Sequence, residues 1–420
     1  MTARKFVPLL MLLALAVAPA AFATNGYFMH GIGTASKAMA GASTALAQEA
    51  LDADTNPAGG VFVNRGYSVS LALFSPDRNY TISGNPSGYP GTFGLTPGTV
   101  TSESKYFPMP AVGFNFRPND SSAVTVNLTA HGGMNTDYRT STFYGSSHTG
   151  VDLAQMFLTT TYSHKITPNQ SFGISAILAT QRFKASGLQA FGPMSSDRDN
   201  LTNRGYDWST GVGVRVGYLA SVLPNLSIGA AYTPKINMSK FSDYRGLFAN
   251  GGSFDIPGTQ TAGIAYKPAD PLTIALDYQR IHYSDVASVG NPLLPNLMNA
   301  PLGAKGGAGF GWQDINVYKL GLQYKANEVW TWRAGYSKAD QPIPSSQVLF
   351  NILAPGVVED HITLGFSKAL QRNPGRFNVA FMYAPSKSVR GANPLEAPGA
   401  QQIQLKMHEW ELEFGYSFGF

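Results

Sequence analysis

Residues 208–218 read WSTGVGVRVGY. In an extended chain Trp208, Thr210, Val212, Val214, Val216 and Tyr218 point one way, and Ser209, Gly211, Gly213, Arg215 and Gly217 the other. A period of two identifies a strand, and an apolar face opposite a face of Gly, Ser and Arg requires two different surroundings. The pattern recurs. Tyr67, Val69, Leu71 and Leu73 alternate with Ser68, Ser70 and Ala72; Val124, Val126, Leu128 and Ala130 alternate with Thr125, Asn127, Thr129 and His131. At the end of the chain, HEWELEFGYSFGF puts Trp410, Leu412, Phe414, Tyr416, Phe418 and Phe420 opposite Glu409, Glu411 and Glu413. From Arg65 onward such segments run for roughly 8 to 13 residues, the length of a tilted strand that spans a bilayer.

The connections supply the count. Short turns at 117–120 (RPND), 167–170 (TPNQ), 223–225 (LPN), 267–270 (KPAD), 325–328 (KANE) and 372–375 (RNPG) alternate with long loops near 75–104, 134–150, 185–206, 235–257, 281–314, 337–359 and 384–407. Six short and seven long connections join fourteen strands, an even number with both ends on the short-turn side. Membrane barrels have short turns on the periplasmic side and long loops outside, so the expected fold is an all-β, fourteen-stranded antiparallel transmembrane barrel. A soluble sandwich or propeller has no need of the strict alternation, nor of outward Tyr67, Trp208, Tyr218, Tyr232, Tyr278, Trp330, Trp332 and Tyr336 at the membrane interfaces. A carboxylate facing lipid is costly, so Glu409, Glu411, Glu413, Arg215, Asp277 and Arg333 are expected to face the lumen.

One stretch is not strand-like. Residues 24–60 read TNGYFMHGIGTASKAMAGASTALAQEALDADTNPAGG, and small residues over 34–51, with Lys37 and Glu49 as the charges, predict a slender helix inside the barrel. Asn25-Gly26-Tyr27-Phe28, Gly31 to Gly33, Gly41-Ala42 and Asn56-Pro57-Ala58 resemble the N-terminal hatch of the FadL-type outer-membrane channels. TWRAGYSKADQPIP at 331–344 is a second point of similarity. The resemblance implies passive uptake of hydrophobic molecules, long-chain fatty acids first and aromatic hydrocarbons as the alternative. It also implies a plug that shifts and an inward kink in the third strand that opens sideways to the membrane of a Gram-negative bacterium. The domain expectation is a signal peptide at 1–23, a hatch at 24–62 and the barrel at 63–420.

Composition agrees. Arg4 and Lys5, the apolar run 6–18 and Ala21-Phe22-Ala23 have the order of a cleaved signal peptide. Without Arg4 and Lys5 the basic residues fall from 30 to 28 against 25 acids, a net of +3 that gives no argument for nucleic acid. No later run is apolar for long enough to form a membrane helix, and there is no cysteine. The seven histidines show no metal-ligand spacing, no G-x-S-x-G elbow is present, and no cofactor is expected. A lipid-hydrolysing barrel or a surface receptor are the rival classes. Expected partners are hydrophobic small molecules, outer-membrane lipids and, through the terminal Phe420, the barrel-assembly machinery; a monomer is expected.

Candidate ligand residues lie in the long loops. Leu293, Leu294, Leu297, Met298 and Leu302 in 290–303, and Met238, Phe241, Tyr244, Leu247, Phe248, Phe254 and Ile256 in 237–256, are expected to present apolar surface outside the cell, either as a binding site or as a cap. By similarity to basic positions of the family, Arg182 and Lys184 would meet a fatty-acid head group. The third strand ends in His131-Gly132-Gly133, the expected bulge and, by the resemblance, part of the gate with Asn25, Gly26, Tyr27, Phe28, Asn56, Pro57 and Ala58.

Overall fold

The computed structural model describes residues 25–370 and 374–420; the expected signal peptide lies outside them. Its strands are β1 (Gly66–Ser83), β2 (Gly98–Thr101), β3 (Phe107–Asn119), β4 (Ser122–Tyr138), β5 (Thr149–Thr167), β6 (Gln170–Ser186), β7 (Asp207–Leu223) and β8 (Leu226–Thr233). The second half contains β9 (Thr259–Ala269), β10 (Leu272–Ile281), β11 (Ile315–Lys325), β12 (Trp330–Ala339), β13 (Asp360–Ala369), β14 (Gly375–Ala392) and β15 (Gln402–Gly419). Neighbours pair antiparallel in chain order and β15 pairs with β1, so among the described residues fourteen strands close a barrel. The short β2 stands apart from the wall and pairs with β1.

The strand parity holds. Val212, Val214, Leu71, Leu364 and Trp332 are exposed on the outside, while Arg215, Asp277, Arg333, Glu409, Glu411 and Glu413 are buried within. Several strands run further outward than their alternation indicates: β1 continues through Pro76, Asp77, Arg78 and Asn79 to Ser83, and β14 and β15 take in most of 384–407. Ladder pairing from Gly66↔Gly419 to Ser83↔Gln402 carries the chain across polar residues that break the hydrophobic pattern.

The plug is inside, but it is not a helix over 34–51. Helix α1 covers only Thr34–Lys37, and two 3-10 turns follow at Ala50–Asp54 and Pro57–Phe62. Ala40 and Gly41 turn left-handed, with φ 55° and 78°, and a side chain at Gly41 would strike the His30 carbonyl. Backbone groups that a helix would pair internally go to the barrel wall instead. Thr363 Oγ1 accepts from Ala40 N–H (2.9 Å) and donates to Ala38 O (3.0 Å), and Asp277 Oδ2 accepts from the N–H groups of Ser43 and Thr44 (2.9 Å each).

Ion pairs complete the seat of the plug. Lys37 Nζ lies 2.8 Å from Glu411 Oε1 and 2.5 Å from Glu413 Oε2, all three side chains buried. Asn56 does not end a long helix. It caps the turn at Pro57, accepting from Ala58 N–H (3.0 Å) and donating to Thr44 O (2.7 Å) and to Tyr218 O on β7 (3.0 Å). Gly217 and Gly173 are where the wall makes room for this turn, since a side chain at either would collide with Asn56 or Pro57. Gly211 and Gly213, on the same face of β7, admit Met238 and Ile236 of the following loop.

The topology gives a direct test. An epitope inserted at Gly251, in the long loop between β8 and β9, is expected to be reached by antibody on intact cells, and one inserted at Asn169, in the tight β5–β6 turn, only after permeabilisation. The opposite pattern would invert the barrel.

Candidate functional site

The loops expected to stand in solvent fold back over the barrel mouth. Phe241, Tyr244, Phe248, Phe254 and Leu302 are buried, Leu293 is 1 % exposed, and of the predicted contact residues Met298 alone remains open at 78 %. Leu247 and Leu294 are half-buried against the same core. The apolar side chains leave water by packing on one another and on a third segment, Val348, Leu349, Phe350 and Ile352, which the sequence reading passed over. Leu293 and Leu297 lie within the cap, where the capping alternative has them.

Under this cap is a small apolar cavity with about 30 Å³ of free space. Phe183, Phe191, Phe248, Phe310, Phe350, Leu247 and Leu302 line it, and Ser288 carries its one side-chain hydroxyl. Leu247 and Phe248 were foreseen. Phe183, Phe191, Phe310 and Phe350 were not, although each is an aromatic residue in or beside a long loop. Phe241 stands behind the wall, 5.7 Å from Phe183 and 5.9 Å from Phe248 between ring centroids. Met238 packs against Gly211.

Arg182 and Lys184 do not reach the cavity. They flank Phe183 on β6, so strand alternation sends them to the other face of the wall. There both cations lie over the Tyr206 ring, at 4.7 and 4.9 Å, and Tyr206 donates to Asp152 Oδ2 (2.5 Å), which lies 4.0 Å from Arg182 Nη2. The expected head-group position is thus an outward, internally paired cluster.

A relay of rings leads down from the cavity. Phe248 meets Phe254 at 4.9 Å, Phe254 meets Tyr27 at 6.1 Å, and Tyr27 meets Phe28 at 5.1 Å; Tyr283 and Trp312 close on Tyr27 from the side at 5.1 and 5.7 Å. Tyr283 Oη donates to Asn25 O and accepts from Tyr27 N–H, which pins the start of the plug. Burial raises the pKa of both tyrosines, so the gate is neutral. Below Phe28 and His131 the character changes. Arg215, Asp54, Asp277, Gln279 and Lys319 bring charge and polarity to a second small cavity, which Phe28, Met29 and Ile32 also line.

The wall has a seam beside the relay. β3 pairs with β4 only as far as Ala111↔Thr129, while its earlier residues Phe107 to Pro110 stay paired to β1. Pro108 and Pro110 have no N–H to offer a second neighbour, a residue choice suited to a free edge. β4 then bulges at His131, between the pairs Ala130↔Met156 and Gly132↔Gln155. The His131 ring turns inward, stacking on Phe157 at 3.9 Å and meeting Phe28 at 4.4 Å. Above the bulge the plug takes the place of β3: Gly133 N–H donates to Tyr27 O (3.0 Å), Met29 N–H to His131 O (3.4 Å), and Phe28 bridges Gly132. Any side chain on Gly132 would meet Tyr27 O and its ring. Higher still, Arg78 spans the seam to the carbonyls of Asn135 and Ser104.

A plug docked onto a bulged third strand of a fourteen-strand barrel is a specific arrangement, and sequence comparison assigns it. Residues 10–408 match the family described as outer membrane protein transport protein (OMPP1/FadL/TodX). The chain belongs to this FadL/TodX family. Solved structures share the fold at low identity. The toluene transporter TodX of Pseudomonas putida is 18% identical over 93% of this chain and 99% of its own, with a TM-score of 0.65. A FadL homologue of Pseudomonas aeruginosa is 16% identical over 94% and 100%, with a TM-score of 0.68. The toluene transporter TbuX of Ralstonia pickettii is 18% identical over 93% and 99%, with a TM-score of 0.62. No curated protein matches the chain in sequence. This FadL/TodX protein is an outer-membrane transporter of hydrophobic compounds in a Gram-negative bacterium, a channel and not an enzyme.

Proposed function

We propose that this FadL/TodX protein takes up small neutral hydrophobic molecules of the monoaromatic class, by passive diffusion gated by the plug, and releases them sideways at the β3–β4 seam. One observation carries the substrate class: the cavity under the cap is lined by Phe and Leu with a single hydroxyl, Ser288, and no charged side chain. A carboxylate buried there without a partner would pay the full cost of desolvation, whereas a benzene ring meets aromatic edges and faces. The nearest basic candidates, Arg182 and Lys184, are on the outer face and engaged with Tyr206 and Asp152. Structural relatives described as toluene transporters agree with this reading. The lateral exit rests on the change of character below the gate. A hydrophobic molecule moving past Phe28 meets Arg215, Asp277 and Lys319 straight ahead, while beside it β3 at Phe107 to Pro110 is not paired with β4.

Uptake of radiolabelled toluene and oleate by cells lacking their own channels tests the reading. Expression of the protein is expected to speed toluene entry and leave oleate entry unchanged, and the Arg182→Ala/Lys184→Ala double variant should behave like the parent. Phe350→Asp, which puts a charge against the apolar lining, should cut toluene entry roughly tenfold or more, since burying an unpaired charge costs several kcal/mol. Oleate uptake that depends on Arg182 and Lys184 would replace the monoaromatic reading with the fatty-acid one.

A further inference from the structure

Above the bulge at His131, β4 has lost β3 as a neighbour, and the backbone groups on that edge still need partners. Gly133 N–H finds Tyr27 O of the plug (3.0 Å). Asp137 N–H donates to Ser102 Oγ (3.0 Å), and Asp137 O accepts from Glu103 N–H (2.8 Å). Asn135 O, between them, accepts from Arg78 Nη1. Each of these partners is a side chain, a loop or the plug, so this edge can be released without unpairing a ladder.

Arg78, buried on β1, is the charged partner. Its guanidinium also donates through Nη2 to Ser104 O and lies 5.5 Å from the ring centroid of Phe107, the first residue of the β3 stretch that β4 does not pair. A planar fork suits two carbonyls at once. Three carboxylates act on this cation electrostatically, Asp77, Asp152 and Glu409. Asp77 lies 3.6 Å from Lys105 Nζ, and Asp152 is engaged with Tyr206 and Arg182. Glu409 differs. It is buried, neither of its oxygens is in a hydrogen bond among the described residues, and His361 Nε2 lies 3.7 Å away. Arg78 pairs with Met407 and Pro76 with Glu409, so Arg78 and Glu409 are diagonal neighbours on the inner face, at a separation of about 7–8 Å that a long side chain spans.

We propose that Arg78 is the latch of the β3–β4 seam, with two positions: closed on the carbonyls of Asn135 and Ser104, and released onto Glu409. The inference rests on the sideways release proposed above. In the closed position the buried cation has carbonyl dipoles and the buried carboxylate has no hydrogen bond; in the released position the two charges pair, and Asn135 O is freed. Each position leaves one cost unmet, which keeps two arrangements of a single side chain close in energy. Release also uncovers Phe107, at the upper end of the unpaired stretch of β3.

Labelling at the seam tests this. The chain has no cysteine, and Met109, buried on the unpaired stretch, is replaced by cysteine as the reporter. In lipid vesicles with a membrane-dissolved maleimide, Arg78→Ala is expected to label roughly tenfold faster than the parent reporter, the effect of losing one charge-assisted hydrogen bond. Glu409→Gln should label about fivefold more slowly, because the released position loses its counter-charge. The double variant should label like Arg78→Ala, since Glu409 acts through Arg78. Arg78→Lys keeps the charge but not the fork, so it should fall between the parent and Arg78→Ala, and it takes the place of Arg78→Ala if heat-modifiable gel mobility shows that variant misassembled. Arg78 variants that label like the parent, Glu409→Gln that labels like the parent, or a Glu409→Gln effect that persists without Arg78 would each overturn the latch. Toluene uptake by the same variants separates the two readings: uptake that ignores them while labelling follows them removes the sideways release and leaves the latch.

Discussion

Gly132→Leu is expected to give a barrel that folds, with the start of its plug no longer held against β4. The native Gly132 lets the Tyr27 carbonyl and ring come within the space that any side chain would fill. A leucine there has to displace the Tyr27 to Met29 segment, with the loss of the bonds from Gly133 N–H to Tyr27 O and from Met29 N–H to His131 O and the support of Phe28. Two to three backbone bonds at about 1 kcal/mol each make the undocked segment roughly a hundredfold more populated. The chain has no cysteine, so one can be introduced as a reporter. Asn25→Cys suits this, because Asn25 is buried and its side-chain amide has no hydrogen-bond partner among the described residues. Labelling of that cysteine by a hydrophilic maleimide should accelerate by about the same factor in the Gly132→Leu background, with gel mobility still that of a closed barrel. Unchanged labelling would mean that the plug and the seam are not coupled.

That coupling was half legible in the sequence. His131-Gly132-Gly133 announced a break in the ladder, because consecutive glycines contribute no side chain to hold a register. The complementary signal was equally visible and unused: Pro108 and Pro110, two residues apart on β3, mark a strand free on one side. What the sequence could not supply is the partner that replaces β3, since Tyr27 lies about a hundred residues away along the chain and its backbone carries no signature.

The same limit explains the plug. Small residues over 34–51 favour a helix only when the backbone must satisfy itself, and here Thr363 and Asp277, far along the chain, offer the bonds. Strand parity, by contrast, transferred residue by residue, because alternation is local and lipid punishes every error. Loop burial did not. Leu293 or Phe241 in a loop reads as exposed until a second apolar loop is known to lie on top of it.

The largest loss is expected from Lys37→Met. Burial alone would push this ammonium towards its neutral form, but Glu411 and Glu413 hold its pKa above the usual range, so it enters the lumen charged and paired. Removing it leaves two buried carboxylates side by side on β15, with Thr34 still donating to one of them (2.6 Å). Stranding one partner of a buried pair costs about 3–5 kcal/mol, which exceeds any single hydrogen bond between plug and wall. The barrel ladder is untouched, so the energy should appear as a loosened plug. Single-channel recordings in planar bilayers should show a steady ion conductance where the parent is closed, and the variant should unfold at lower denaturant. Combining Lys37→Met with Glu411→Gln and Glu413→Gln removes the stranded charges and should recover most of the closure. A Lys37→Met protein that stays closed would show that the hydrogen bonds between plug and wall hold the plug without the ion pair; one that leaks equally with and without the two glutamines would make Lys37 a matter of packing rather than charge.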